Sequence, residues 1–509
     1  MTTRSFPFVD AIYRHEPNPA YTGNPYIEAL PALPDDLTLA KALTNLPKFD
    51  PEERSLDGPS RIQRLDTLRQ VHIALPRVVR LARAMLKLMV TGYGPRRPYS
   101  AADNKTVREL YALQQSGNFV SVRETGLAAQ HSMALIGASG CGKSFSLRHI
   151  AGLFPPAIYH EEIGKWQLPF LFIEMAYDGE SVHTLASELF AEFDRLLPDG
   201  RYTELYMERK GLNAQQRLAK ALAIAHELGV GEIVVDESQN ERSIGNEPKH
   251  SRRGTSSVRP LKRETPLTKL LITASNTSHI PMVFSGTLEM KNMVGARFTR
   301  ARRMAGRGSS VWSTLPRHAE EPAKKGEFEI LLRALFRYQW IRKPLEFSQQ
   351  WVDVFHGHTQ GIPDIIVKLY ESSQETAIAN GIETLTPELV AGVFAKEFVM
   401  TEFGIKALRD RDDTLREAVP DLYQLDPSER DEPRTPDAHF AAPQASQSKE
   451  RSGETTKARA PKPPLPSPEP VPIGADALEA ADLRGQLHDA KTGVTATVGW
   501  DDLKELFSQ

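Results

Sequence analysis

At 509 residues the chain exceeds the roughly 250–300 residues that one hydrophobic core usually reaches, so its length predicts several domains. Hydrophobic residues make up 40% and charged residues 25% of the sequence, as in ordinary soluble globular proteins, and the apolar runs are too short for a membrane span. One cysteine excludes an internal disulfide framework and the N-terminus lacks a signal-peptide core, which together predict a cytoplasmic protein.

The net charge of -2 is unevenly distributed along the chain. The segment from Ser251 to Ser310 has twelve Lys or Arg residues against two Glu, whereas Asp410–Asp437 is acidic by comparison. A basic zone in an otherwise neutral chain fits a phosphate-rich partner such as nucleic acid. A solvated surface is the alternative explanation.

The N-terminal part contains one clear helix. The first 60 residues are rich in proline and are predicted to be irregular. A helix is predicted over Pro76–Val90, because apolar residues recur there at helical spacing. Its opposite face is predicted to be solvated and not a binding surface; it carries Arg77, Arg80, Arg83 and Lys87.

From Ser132 the pattern becomes an alternation of strands and helices. Strands are predicted at residues 133–137, 169–175, 232–237 and 280–286, with helices at 143–154, 181–197, 214–229 and 267–277. Such alternation predicts an α/β fold, with a mostly parallel sheet covered by helices. The strands lack a polar face, which indicates burial on both sides of the sheet.

From Phe328 the sequence becomes helical, with Thr386 as a helix start, and His356–His358 is predicted to be a turn. After Arg409 a polar, proline-rich segment predicts a disordered linker. Trp500, near the end, opens a short apolar motif that we expect to dock on a partner protein. The predicted domains are an N-terminal extension (1–100), an α/β core (101–318), a helical lid (319–409), the linker (410–474) and the docking motif (475–509).

The strongest motif is a phosphate loop, Gly137-x-x-x-x-Gly142-Lys143-Ser144, between a strand and a helix. It predicts ATP and Mg²⁺ as cofactors: Lys143 would reach the β- and γ-phosphates, and Ser144 would bind the metal. An ordinary glycine turn is the alternative. The residues expected to contact the nucleotide are Gly137, Ala138, Ser139, Gly140, Cys141, Gly142, Lys143, Ser144 and Phe145, with Cys141 as a small loop filler.

Acidic and polar residues follow two of the predicted strands. Asp236 is expected to bind the magnesium shell and Glu237 to orient the attacking water. The alternative is that two adjacent acidic residues occur in a loop there by chance. At the end of the next strand Thr287, or as second choice Ser285, would contact the γ-phosphate or the water; the alternative for Thr287 is a helix cap.

An arginine cluster follows and comprises Arg297, Arg300, Arg302, Arg303 and Arg307. One of these is expected to complete the site of a neighbouring subunit as an arginine finger, while others face water or a partner.

Together, the phosphate loop, "IVVDES", "FSGT" and the arginine cluster before "SVWSTL" resemble the TnsC/TniB family of AAA+ ATPases that regulate transposition. "NPYIEALPAL" and "GIPDIIVKLY" also resemble that family, and the resemblance covers about residues 20–400. It implies a TnsC-like homo-oligomer, ring or filament, that assembles with ATP on double-stranded DNA. This oligomer would link a target-selection protein to the transposase and disassemble on hydrolysis.

Carried over by position, the resemblance implies finger candidates Arg300, Arg302 and Arg303, and a nucleotide lid at Gly361–Lys368. The chain departs from the family at Ser238, where an aliphatic residue is usual, and in a longer, more basic insertion at 241–264.

DNA contact would use phosphate groups only, so binding should be independent of base sequence and sensitive to salt, and would associate the chain with the nucleoid. The candidate residues are Arg209, Lys210, Asn213 and Arg217, with Arg252 and Arg253 and also Arg259, Lys262 and Arg263 in the insertion. Two other functions remain open at this point: a helicase-loader-like ATPase, and a nucleotide-gated signalling scaffold that does not bind DNA.

Overall fold

The computed structural model describes residues 8–32, 34–116, 132–175, 181–208, 211–238, 271, 274–288, 290, 309–317, 325–410 and 422. The elements before the phosphate loop are β1 (Phe8–Asp10), α1 (Pro25–Glu28), α2 (Asp36–Leu43), α3 (Gly58–Arg64), α4 (Pro76–Tyr93) and α5 (Ala101–Ser116). Two short 3-10 helices, Pro51–Ser55 and Leu65–Gln70, lie on either side of α3 in the chain.

The middle of the chain contains most of the strands. Its elements are β2 (Ser132–Gly137), α6 (Lys143–Ala151), β3 (Ala157–His160), β4 (Lys165–Gln167), β5 (Phe170–Glu174), α7 (Val182–Leu196), α8 (Tyr202–Met207), α9 (Ala214–Glu227), β6 (Glu232–Asp236), β7 (Met282–Gly286) and β8 (Ser309–Trp312). The helices that follow are α10 (Glu327–Leu335), α11 (Gln349–Thr359), α12 (Pro363–Ala379), α13 (Pro387–Glu397) and α14 (Val399–Asp410).

The main sheet has five strands in the order β5-β6-β7-β2-β8, and every neighbouring pair is parallel. Residues of β2, β6 and β7 are almost all buried, because helices cover both faces of the sheet. This confirms the predicted parallel sheet and its four strands. The edge strand β8 was not predicted.

A second, smaller sheet was also not predicted. It has the order β1-β3-β4, with β1 parallel to β3 and β3 antiparallel to β4. Its strands are three or four residues long, which is too short for a period of two to stand out from the surrounding sequence.

The prediction of irregular structure over the first 60 residues was wrong in part, because short helices occur there. Local capping holds these helices: the side chains of Asn24, Asp35 and Asp57 accept hydrogen bonds from backbone N–H groups at the starts of α1, α2 and α3. Proline occupies the first turn of α1 and α3, where its missing N–H costs nothing. Some of the prolines that suggested irregularity are therefore helix starts.

Helix α4 confirms the predicted amphipathic helix, and Lys87 on its polar face is exposed. The prediction of a solvated face was wrong for Arg77, which is buried. Its guanidinium forms an ion pair with Glu327 of α10, donates to the carbonyl of Ser313 at 2.8 Å, and lies over the Trp312 ring. Arg77 therefore connects α4 to the end of β8 and to the first of the C-terminal helices.

The C-terminal helices α10–α14 confirm the predicted helical region, and Thr386 caps α13 by accepting from the N–H of Leu389. The prediction of a turn at His356–His358 was wrong, since both histidines lie in the last turns of α11. Among the described residues, no helix is long and apolar enough to cross a membrane.

Arginines of the N-terminal segment hold these C-terminal helices in place. Arg61, which is buried, donates two hydrogen bonds of 2.7 Å to Glu383 and a third, of 2.8 Å, to the Trp340 carbonyl. Arg69 forms a two-point ion pair with Glu371 of α12 at 3.0 Å. All described residues belong to one compact unit. The predicted linker and docking motif lie outside the described residues.

Glu232, the first residue of β6, is fully buried at the end of the main sheet away from the phosphate loop. Burial raises the pKa of its carboxyl well above 4.5. The folded chain therefore holds this proton more tightly than the unfolded chain does.

We expect Glu232→Gln to flatten the pH dependence of stability. The contribution of Glu232 is complete below a pH of 4.5 and is lost as the pH rises through the folded-state pKa. The glutamine variant has no such proton to lose, so its free energy of unfolding should fall less from about pH 5 to about pH 8 in urea titrations. Glu52→Gln, which alters an exposed carboxyl, is the control. The same pH profile in all three proteins would contradict the prediction.

Candidate nucleotide-binding site

A cavity of about 860 Å³ lies at the carboxyl end of the main sheet. The phosphate loop forms one wall, the ends of β6, β7 and β8 form the floor, and α12 and the segment leading into α4 close the other sides. Its volume is in the range of small-molecule sites. The predicted nucleotide-site residues that line it are Ser139, Gly140, Cys141, Gly142, Lys143, Ser144, Phe145, Asp236, Glu237 and Thr287.

The phosphate loop joins β2 to α6 through a tight turn. Gly142, the residue before α6, has a φ of 88°, a left-handed conformation that glycine adopts at little cost. The first N–H groups of α6 have no partner within the helix, and they carry the positive end of the helix dipole. The turn therefore provides a backbone site for an anion such as phosphate.

Gly137 is required by close packing beneath the loop. A Cβ atom at this position would lie 2.9 Å from Cys141 Sγ and from both the Cβ and the carbonyl oxygen of Trp312. The N–H of Ala138 donates to the same Trp312 carbonyl at 3.2 Å. Cys141 is buried and fills the space under the loop, as predicted from its size. Strand β8 thus supports the phosphate loop from behind.

Lys143 is buried against the loop that contains it. Its Nζ donates to the carbonyl oxygens of Gly137 at 2.9 Å and of Ala138 at 3.1 Å. Both acceptors are backbone atoms of the phosphate loop, so the ammonium group is held at the end of the cavity where phosphates would bind. Its positive charge and the α6 dipole act on the same region.

Asp236 and Glu237 end the central strand β6 and line the cavity together. The N–H of Glu237 donates to Asp236 Oδ1 at 3.0 Å, which orients the aspartate. Glu237 has a φ of 51°, a conformation that residues other than glycine rarely adopt and that is common at functional sites. Ser238, the unusual residue after this pair, is buried, and its hydroxyl donates to Val235 O at 2.9 Å. Its polarity is therefore satisfied.

At the end of β7 the two candidate residues differ in position. Thr287, the first choice, lines the cavity. Ser285 is fully buried within the strand and is not among the cavity residues.

The residues around the loop fit a magnesium ion. The Ser144 hydroxyl and the Asp236 carboxylate both line the cavity and supply the oxygen ligands that Mg²⁺ prefers. Among the described residues, no group of three or more His, Cys, Asp or Glu side chains could hold a metal without help. Such a site would therefore need phosphate oxygens and water to complete the coordination, as magnesium sites in phosphate-loop proteins commonly do.

Much of the far end of the cavity was not predicted. Its mainly apolar wall comes from three separate segments and consists of Val71, His72, Ile73, Leu75, Val78, Leu331, Pro363 and Val367. No spacing pattern relates these residues to the phosphate loop, so the sequence offered no signal for most of them. Pro363 and Val367 fall within Gly361–Lys368, the segment that the family resemblance assigned to the lid.

Backbone hydrogen bonds join the lid segment to the phosphate loop and to the residues that follow β8. The N–H of Asp364 donates to Gly140 O at 3.2 Å, and the N–H of Leu315 donates to Gly361 O at 2.7 Å. Gly361 has a φ of 77°, and a Cβ atom there would lie 1.9 Å from Leu315 O. Only glycine allows this approach.

The predicted DNA-contact residues are only partly described. Asn213 caps α9 through a reciprocal pair of hydrogen bonds with Gln216. Arg217 donates to the carbonyl of Tyr206 at 3.2 Å and that of Met207 at 3.4 Å. Both side chains therefore have structural contacts here. Arg209, Lys210, Arg252, Arg253 and the finger candidates Arg300, Arg302 and Arg303 lie outside the described residues.

We expect Gly361→Ala to separate the lid from the core. The added methyl group would collide with Leu315 O in addition to imposing the cost of a positive φ. Gly381→Ala is the matched control, because Gly381 has a φ of 69° but no atom within 4 Å of the added Cβ. In urea titrations both variants should lose stability, Gly381→Ala by about 1 kcal/mol and Gly361→Ala by clearly more. Equal losses would show that the contact with Leu315 has no effect.

A match to a protein family supports the assignment of the fold. Residues 127–294 match the AAA domain family. The Walker-type ATPase PABY2304 of Pyrococcus abyssi is 15% identical over 61% of this chain and 76% of that chain, with a TM-score of 0.31. The RuvB Holliday junction branch migration motor of Thermotoga maritima is 12% identical over 62% and 80% of the two chains, with a TM-score of 0.29. No curated protein matches. The chain thus contains an AAA domain, a P-loop ATPase domain with a parallel sheet flanked by helices.

Proposed function

We propose that this chain is a magnesium-dependent ATPase whose nucleotide state controls the position of its lid. The observation that supports this function best is that the phosphate loop, the Asp236–Glu237 pair and the lid segment all line one cavity. A triphosphate in that cavity would touch the residues of hydrolysis and the residues of the lid together. Binding and hydrolysis would then be coupled to the contact between the lid and the phosphate loop.

In this proposal each residue has a separate task in phosphoryl transfer. Lys143 releases the Gly137 and Ala138 carbonyls and binds the β- and γ-phosphates, while the N–H groups at the start of α6 bind phosphate oxygens. Ser144 and Asp236 would hold the magnesium ion, which when bound would supply positive charge to neutralise the phosphates. Glu237 orients the attacking water, and Thr287 contacts the γ-phosphate or that water.

The lid is placed to respond to the nucleotide. Asp364 contacts Gly140 of the phosphate loop, so a phosphate group that displaces the loop would also act on the start of α12. Arg77 joins the end of β8 to α10 and itself lines the cavity. A bound nucleotide would therefore act on α12 through Asp364 and on α10 through Arg77.

The specific role that we propose is that of an ATP-switched transposition regulator. The chain would oligomerise with ATP on double-stranded DNA, connect a target-selection protein to the transposase, and leave the DNA after hydrolysis. This role is supported by the sequence resemblance over about residues 20–400 and by the basic zone from Ser251 to Ser310. Arg300, Arg302 or Arg303 would complete the site of an adjacent subunit, so that assembly and hydrolysis depend on each other.

Lys143→Ala is expected to abolish nucleotide binding and, with it, ATP-dependent DNA binding. The variant lacks the cation that pairs with the phosphates, although the loop itself is retained. Fluorescent-ATP titrations and DNA gel shifts with and without ATP at matched salt provide the measurements. Lys396→Ala, which removes an exposed lysine outside the cavity, is the control. DNA binding by Lys143→Ala at the level of the control would contradict the switch.

Glu237→Gln is expected to bind ATP but to hydrolyse it about 10²–10⁴-fold more slowly, since the amide cannot accept a proton from water. The variant should therefore remain on DNA much longer after free ATP is removed. Phosphate release and DNA dissociation rates test these effects. Glu174→Gln is the control, because Glu174 pairs with Asp236 across the sheet but does not line the cavity. Rapid hydrolysis by Glu237→Gln would remove Glu237 from this role.

A further inference from the structure

The far end of the cavity is suited to a nucleobase. If the phosphate loop holds the phosphates, the base of the nucleotide lies between the segment before α4 and the lid helix α12. Most of the side chains there are aliphatic, and they include Val71, Val78 and Val367. Aliphatic side chains pack against the ring face of either purine and do not distinguish adenine from guanine. Discrimination between adenine and guanine requires a polar atom, since adenine carries a 6-amino donor where guanine carries the O6 acceptor.

His72 offers such an atom, and its hydrogen bonding defines the tautomer. The side chain lines the cavity and only 6% of the residue is exposed. Its Nδ1 lies 2.7 Å from the carbonyl oxygen of Leu43. A carbonyl oxygen can only accept a hydrogen bond, so Nδ1 carries the proton and Nε2 has a free lone pair. Burial, with a smaller effect from the neighbouring His149, lowers the pKa of His72 from 6.5 to about 3. The ring is therefore neutral at pH 7.

Nε2 has no hydrogen-bond partner within the described part of the chain, although it is shielded from water. Its surroundings are aromatic: the His149 ring stacks on His72 at 4.0 Å, and the Phe145 ring packs edge-on at 5.2 Å between centroids. A buried acceptor without a partner is unusual in proteins and costs free energy. Phe145 itself lines the cavity and is 40% exposed, and exposed side chains change rotamer readily, which would let a ligand approach the His72 ring.

We propose that His72 selects adenine nucleotides over guanine nucleotides by accepting a hydrogen bond from the 6-amino group through Nε2. The inference rests on the proposed nucleotide binding and adds the choice of base to it. Guanine would place its O6 acceptor against the Nε2 lone pair. The imidazole cannot adapt by moving its proton, because Nδ1 would then face the Leu43 carbonyl without a hydrogen. Because the hydrogen bond to Leu43 fixes the proton on Nδ1, Nε2 can accept from adenine but cannot donate to guanine.

The test compares three triphosphates on the full-length chain with magnesium, by competition against a fluorescent ATP analogue. The ligands are ATP, GTP, and purine riboside triphosphate, which is ATP with hydrogen in place of the 6-amino group. The unchanged chain should bind ATP about three- to tenfold more tightly than purine riboside triphosphate, as expected for one hydrogen bond, and should bind GTP more weakly still. This comparison does not depend on any variant being folded.

His72→Phe retains a ring of similar shape but lacks the acceptor. It should bind ATP and purine riboside triphosphate with equal affinity, whereas His149→Phe, which alters the neighbouring ring, should keep the preference for ATP. A preference for ATP that persists in His72→Phe would overturn the proposal. Equal binding of all three ligands by the unchanged chain would overturn it too while leaving nucleotide binding intact. Failure to bind any triphosphate would overturn the proposed function as well.

Discussion

The contact between the lid and the phosphate loop is the constraint on which the site depends. The N–H of Asp364 donates to Gly140 O, and beside this contact the N–H of Leu315, after β8, donates to Gly361 O of the lid segment. At Gly361 the two backbones pass so close that an added Cβ atom would lie 1.9 Å from Leu315 O. These contacts bring the start of α12 beside the phosphate loop, so that α12 forms one side of the cavity. Partial shielding from bulk water strengthens the electrostatic interactions inside such a cavity.

The C-terminal helices, which include the lid segment, are joined to the N-terminal segment by ion pairs. Arg61 and Arg69 pair with Glu383 and Glu371, and Arg77 pairs with Glu327. The Arg61 hydrogen bond holds the pKa of Glu383 below its usual range, so this pair stays charged at neutral pH. Buried charges such as Arg61 are costly unless they are fully paired. The N-terminal segment is therefore joined to the lid, and it also supplies one wall of the cavity.

The two ends of the cavity differ in their electrostatics, and the difference follows from how each is built. At the phosphate end, Lys143 and the start of α6 concentrate positive charge next to Asp236 and Glu237. At the other end, burial keeps His72 neutral, many lining residues are apolar, and the cations Arg69, Arg77 and Lys368 are each paired with a carboxylate. A nucleotide has the same division between charged phosphates and a neutral base. Charge is therefore located where phosphoryl transfer would need it, and selection of the base can rest on a single directional hydrogen bond.

The sequence alone determined the parallel sheet, the phosphate loop at Gly137–Ser144 and the acids Asp236 and Glu237. Phosphate binding depends on a short local turn and on the end of one apolar strand, and both leave a contiguous pattern. Only the tertiary structure decided the base end of the cavity, the burial of Arg77 and the helical state of His356. These depend on which distant segments pack together: His72 faces the cavity because the 3-10 helix Leu65–Gln70, just before it, packs against α12. Side chains brought together by long-range packing have no common spacing in the chain, so no sequence pattern could reveal them.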